Sequence, residues 1–277
     1  MTAPTVLSVT LDVRDATSSA TQRSILASVP GHFRITENPG ADVVVVSGRN
    51  SGWPDGVVRV IHDGARGVLV VRPGLIDPDR VRELSDAVAG RAVVAVDTPY
   101  ATDRTWTAVE NDVAVDAVGA SIVDSVVSVP GGTQGDDLVG ALLDQLAVVR
   151  PLVSLVDRLR LAHRGEGNYV LAAQARGPRV TLTGVTSAAG RAALALDVVA
   201  PSRRWQVRFD DTALARPTEI TLHDETGAHT RPLTYESGRR VTWQRLHEAL
   251  TENGEVGYSL DHLADDLELV RRVRWAD

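Results

Sequence analysis

Gly40-Ala41-Asp42-Val43-Val44-Val45-Val46-Ser47 is the stretch on which the fold turns. Four consecutive valines suit a strand buried on both faces, as in a parallel sheet, rather than a strand with one wet face. Working towards the start of the chain, His32–Thr36 reads as a short strand. Ser18–Val29 reads as a helix with Ile25, Leu26 and Val29 on its apolar face, ended by Pro30-Gly31. Val6–Leu11 reads as another strand. Working in the other direction, Trp53–Ala65 carries Trp53, Val57, Val60 and Ile61 at helical spacing, and Val68–Val71 repeats the apolar run. Asp77-Pro78 then opens a helix, with Asp77 as its cap and Pro78 in its first turn. Val81, Leu84 and Val88 line one face, Gly90 closes it, and Ala92–Val96 follows as a strand. Strands alternating with helices through short loops predict a parallel α/β sheet.

The texture changes near residue 100. Ala114–Val129 reads as extended. Asp136–Ala162 has long helical periodicity through Leu138, Leu142, Leu146, Val149, Val153 and Val156, with a kink expected near Pro151. From Tyr169 to Leu233 the pattern alternates, as antiparallel strands with one wet face do. Turns are marked by Arg176-Gly177-Pro178 and Glu225-Thr226-Gly227. Helices near Val241–Asn253 and Ser259–Arg272 follow. At 277 residues, against roughly 150 per domain, two domains are expected: 1–100, a truncated Rossmann-like parallel sheet, and 101–277, an α+β open-sheet domain. The last helix of the second is placed to pack back on the first.

Composition removes whole classes of chemistry. All 29 basic residues are arginine, and cysteine is absent. Schiff-base lysines, Walker-type phosphate lysines, disulfides, thiolate metal sites and cysteine nucleophiles are therefore excluded. A net charge of −7 and the lack of a basic run argue against nucleic-acid binding. No apolar stretch is long enough for a membrane span, and Met1–Thr10 does not resemble a secretory signal, so a cytoplasmic protein is expected. The seven histidines have no metal-ligand spacing, so no metal site is expected. Gly131–Gly135 lacks the residues of a phosphate loop, and no Gly-x-Ser-x-Gly elbow is present.

The run from Gly40 through Arg72-Pro73 to Asp97-Thr98-Pro99-Tyr100 resembles the Gfo/Idh/MocA oxidoreductases. In that family a strand of the type Asp-Ala-Val-Val-Val-Ala-Thr-Pro precedes a strand ending in Glu-Lys-Pro. Here the second signature reads Val71-Arg72-Pro73. Leu75–Leu84 resembles the helix that follows it. Gly140-Ala141-Leu142-Leu143-Asp144 resembles the start of the family's Asp-x-Gly-x-His helix, and Gly257–Val270 resembles its closing helix. The likeness covers residues 40–277 well and 1–39 poorly.

The resemblance implies an NAD(P)-binding Rossmann domain, a C-terminal sheet domain often used for oligomer contacts, and hydride transfer on a sugar-like alcohol or ketone. The residues depart from that scheme at three places. The first turn, Leu11–Ser18, has no glycine where the family's backbone approaches the pyrophosphate, and Asp12 and Asp15 would repel it. Only Glu37–Gly40 separate the second strand from the third, where relatives have an extra helical unit. The family's lysine is Arg72, which cannot readily give up a proton. Counting from Asp144, the histidine general acid/base is Val148, and the glycine before it is Leu146.

No cofactor is therefore assigned. The expected reading is a degenerate member that acts as a noncatalytic partner or oligomerisation subunit in a bacterial, specialised metabolic pathway. It would form a homo- or hetero-oligomer, for instance with an intact paralogue. Alternatives are a repurposed non-redox cyclase, isomerase or lyase, a ligand-sensing regulator, and a residual NAD(P)-dependent polyol oxidoreductase. The cleft candidates for a small-molecule ligand are Arg72, Asp97, Tyr100, Asp144 and Val148, with Asp144, Tyr100 and Arg72 as the catalytic ones. Asp97 and Tyr100 earn their place by following a predicted parallel strand, where open α/β sheets bind ligands.

Overall fold

The computed structural model describes residues 5–12, 16–38, 40–131, 135–153, 159–174, 177–188, 191–212 and 216–273. The chain divides into two compact units. The first comprises Met1–Thr98 and Arg239–Leu267, the second Pro99–Gly238 and Glu268–Asp277.

Unit 1 runs β1 (Leu7–Asp12), α1 (Ala16–Ala27), β2 (Phe33–Ile35), β3 (Val43–Ser47), α2 (Trp53–His62), β4 (Gly67–Val71), α3 (Pro78–Val88) and β5 (Val93–Val96). The strands form a five-stranded sheet in the order β2-β1-β3-β4-β5, every pair parallel. Val43–Val46 and all of Gly67–Val71 are buried, as two covered faces require. At α3 the Asp77 carboxylate accepts from the Asp79 amide at 3.1 Å. Gly90, just past its end, takes φ +70°, the left-handed position that glycine occupies without a Cβ clash. The core gathers Leu7, Val9, Phe33, Val43, Val45 and Leu69. Into it α7 (Gly238–Glu252) sends Trp243 and Leu246. Trp243 meets Phe33 edge-on at 4.8 Å, and its indole N–H donates to Gln22 at 2.9 Å.

Unit 2 runs α4 (Arg104–Thr107), α5 (Glu110–Val118), β6 (Ile122–Pro130), α6 (Gly135–Val149), β7 (Arg160–Gly165), β8 (Asn168–Gln174), β9 (Arg179–Ser187), β10 (Ala193–Val199), β11 (Arg204–Phe209), β12 (Glu219–Asp224) and β13 (Gly227–Thr230). The final helix, α8 (Leu260–Arg272), spans residues of both units. The eight strands are ordered β13-β12-β11-β10-β6-β9-β8-β7. Residues alternate between a buried face and an open one. On the buried face Tyr169 lies opposite Gly184, and a Cβ on that glycine would collide with the ring.

Three expectations are corrected. Ala114–Val129 is not extended throughout, because Glu110–Val118 is helical. Val113 and Ala117, one turn apart, are buried, while Val115 and Val118 remain 74% and 78% exposed; Val113, Val115 and Ala117 alternate with period two, as a strand does. The long helix does not kink at Pro151 and continue. It ends at Val149, since proline cannot donate to the helix or fit inside it, and Arg160–Gly165 is a strand; residues 154–158 lie outside the described residues. Finally, β9 pairs parallel, not antiparallel, with β6. No helix among the described residues is long and apolar enough to cross a membrane.

Candidate functional site

The carboxyl ends of β3, β4 and β5 lie side by side in unit 1, and their ladder continues past the strands. The Gly48 amide donates to the Val71 carbonyl at 2.8 Å, and the Gly74 amide donates to the Gly48 carbonyl at 2.9 Å. A Cβ on Gly48 would lie 2.6 Å from Pro73 Cα, so only glycine allows this approach. Between these bonds Arg72 is exposed and held at φ +52°, a left-handed conformation that costs a residue with a Cβ about 1 kcal/mol or more.

Asp97, one strand over, is only 8% exposed. Its Oδ2 accepts from Arg239 Nε at 3.1 Å, at the start of α7. Its Oδ1 is buried with no hydrogen-bond partner among the described residues. A buried carboxylate needs such a compensating charge. Sequence reading missed Arg239, because nothing in local spacing links residues 142 positions apart.

The other candidates belong to unit 2. Tyr100 is buried, its ring 5.5 Å from that of Phe209, which also meets Trp106. Asp144 is half-buried on α6. Next to it, Gln145 is fully buried and donates to the Ser125 carbonyl at 3.0 Å and the Thr183 carbonyl at 3.1 Å. The Tyr169 hydroxyl donates to Gln145 Oε1 at 2.5 Å. Burial first, and the Asp144 charge second, push the Tyr169 phenol well above its ordinary value, so it stays protonated. Val148 and Leu146 have no exposed surface. The structure thus brings Arg72 and Asp97 to one sheet edge, and sets Tyr100 and Asp144 among different neighbours.

The nucleotide that the resemblance implies does not fit the residues present. At the end of β1 the Asp12 carboxylate lies 3.4 Å from Arg59, where a pyrophosphate would need donors. Asp15 lies outside the described residues. Among the described residues the sheet ends at β2, and the chain passes from it straight to β3 without the extra helical unit expected of relatives. Glu37 is exposed on the short loop that runs directly to β3. Among the described residues no group of three or more His, Asp or Glu side chains is placed to hold a metal.

No family model matches the chain, and no curated protein matches it by sequence. Solved structures do. A UDP-N-acetylglucosamine 3-dehydrogenase from Acidithiobacillus ferrooxidans superposes with a TM-score of 0.72 at 12% identity, covering 98% of both chains. A dehydrogenase (MviM) from Clostridium difficile gives 0.71 at 7% identity, over 98% of this chain and 99% of that one. A dehydrogenase from Chromobacterium violaceum gives 0.69 at 15% identity, over 99% and 95%. At such identities the likeness concerns the fold.

Proposed function

We propose that this chain, which has the Gfo/Idh/MocA-type oxidoreductase fold, does not carry out NAD(P)-dependent hydride transfer and serves as a noncatalytic subunit. Its setting is a bacterial cytoplasmic, specialised metabolic pathway. One observation supports the reading above others. All three positions the family's chemistry uses are occupied by residues that cannot perform it, and the surrounding structure is built around the replacements. Asp12 stands at the end of β1 beside Arg59. Arg72 sits in a tight left-handed turn against Gly48 and Pro73, and a guanidinium does not release its proton near neutrality. Val148 is packed with no surface and no proton to exchange.

The subunit role rests on the open face of the eight-stranded sheet, which a second copy or an intact paralogue would cover. Titration of the purified chain with NADH and NADPH tests the redox reading. We expect no saturable binding in the micromolar range and, with NAD+ or NADP+ supplied as the hydride acceptor, no turnover of polyols; micromolar binding together with turnover overturns it.

A further inference from the structure

Helix α7 runs out into Thr251-Glu252-Asn253-Gly254-Glu255, which holds the one Asn-Gly pair of the sequence. Asn253 follows the last helical residue and takes φ +58°, the left-handed position that closes a helix and that asparagine tolerates better than most residues with a Cβ. The Gly254 amide turns back to the Glu248 carbonyl at 3.3 Å, a long bond for its type. A Cβ on Gly254 would lie 3.3 Å from the Glu248 carbonyl carbon and from its Cβ, so this closure favours glycine on packing grounds. The same missing Cβ removes the bulk that would otherwise shield the Gly254 nitrogen. Both residues are exposed, and the Asn253 side chain makes no hydrogen bond among the described residues.

The other four asparagines each lack this combination. Asn38 precedes Pro39, which has no amide hydrogen to lose. Asn50 precedes a serine, and its Oδ1 accepts from the Gly52 amide at 3.1 Å. Asn111 lies inside α5, and Asn168 precedes the fully buried Tyr169 on β8.

We propose that Asn253 is a site of spontaneous covalent modification, with the main chain itself as the nucleophile. The Gly254 nitrogen, having lost its proton to hydroxide, attacks Asn253 Cγ. The N–Cγ bond forms, the Cγ–Nδ2 bond breaks, and ammonia leaves with a proton taken from water. Water then opens the cyclic imide. Attack at Cγ gives aspartate, and attack at the main-chain carbonyl carbon gives isoaspartate, in which the chain runs through the former side chain. Water is the only reagent consumed, and nothing is oxidised or reduced.

The position makes the product matter to unit 1. Leu250 and Val256, on either side of the pair, both pack against the core of the parallel sheet. The Leu250 carbonyl accepts from Arg66 Nη2 at 3.2 Å, and the Thr251 hydroxyl donates to the His247 carbonyl at 2.8 Å. Either product adds a carboxylate at a helix C-terminus, where the partial charge is already negative. Glu252 and Glu255 flank it, and the last turn of α7 has no basic residue. Isoaspartate also lengthens the main chain by a methylene, which takes the Gly254 amide away from the Glu248 carbonyl. Aged molecules therefore carry an α7 that frays at its last turn and a core held less firmly at that end.

Asparagine being thermolabile, ageing of the full chain at about 37 °C, at about pH 6 and about pH 8, followed by tryptic peptide mapping, tests this. Cleavage at the arginines places each asparagine in a separate peptide, that of Asn253 lying between Arg245 and Arg271. Conversion at Asn253 is expected to be at least about ten-fold faster than at any other asparagine, because glycine follows it alone. It is expected to be faster at the higher pH, with isoaspartate detected by enzymatic carboxyl methylation. The aged chain is expected to have a lower urea midpoint, with faster amide exchange confined to the end of α7 and the residues up to Val256. Asn253→Gly, which keeps the left-handed closure and has no carboxamide, is expected to age without change. Conversion at Asn253 no faster than elsewhere, a rate that does not rise with pH, or an Asn253→Gly chain that loses stability in the same way would each overturn the proposal. A converted chain with an unchanged midpoint and unchanged exchange overturns the consequence for unit 1.

Discussion

Arg72 is one residue whose conformation its side chain does not favour. It holds φ +52° because the Val71 carbonyl before it and the Gly74 amide after it are both committed to Gly48, and because Pro73 leaves room for no Cβ on Gly48. The cost of the left-handed turn falls on the arginine's Cβ, which glycine lacks. Arg72→Gly is therefore expected to stabilise the protein by about 1 kcal/mol, seen as a higher urea midpoint with an unchanged slope. An unchanged or lower midpoint would mean that the guanidinium contributes more to folding than the turn costs. That Arg72 closes the strand was readable from Val71-Arg72-Pro73. That its backbone is left-handed was not, since the constraint comes from Gly48, on the neighbouring strand.

Among the elements, α7 decides whether unit 1 has a complete core. Its inward face places Trp243 and Leu246 against β1 and β2, and it carries His247, whose Nε2 donates to the Thr5 carbonyl at 2.8 Å. The His247 ring meets His32 at 4.6 Å. Burial first, then the His247 and Arg240 charges against the opposing pull of Glu248, lower the His32 value from 6.5. A histidine lowered in the fold binds its proton more tightly when unfolded. Stability is then full above about pH 6.5 and falls as pH drops from there towards the lowered folded value. Urea midpoints measured across this window should fall in the native chain and fall less in His32→Asn; equal slopes would assign the loss to other groups. The elements themselves were legible wherever local chemistry was sufficient. Valine runs marked β3 and β4, and Asp77-Pro78 marked α3. They were illegible where an exposed apolar residue imitates another period, as Val115 does between Val113 and Ala117 in α5, or where a proline ends a helix before an unexpected strand, as at β7. The candidate site was legible in its strand ends and illegible in its partners. Asp97 was found from the pattern, whereas Arg239 arrives from α7, and the hydrogen bonds of Gln145 and Tyr169 arise only once α6 lies on the sheet.

At the scale of the whole molecule, the absence of lysine first looks like a matter of composition. Genome bias towards arginine would account for Arg72, but it would not remove glycine from Leu11–Ser18 or put valine at residue 148, so under the proposed reading substitution at one site would not create hydride transfer. The double variant Arg72→Lys with Val148→His makes this testable. It supplies the family's lysine and histidine while leaving Asp12 beside Arg59 and the glycine-free turn in place. Val148 has no exposed surface, so the imidazole enters a site shaped for an aliphatic side chain. A buried polar group without an assured partner costs roughly 1–3 kcal/mol. The expected outcome is a lower melting temperature and no oxidation of NADH with any keto sugar. Measurable turnover at unimpaired stability would show that the nucleotide still binds in its usual place, and that two residues alone separate this chain from an active dehydrogenase.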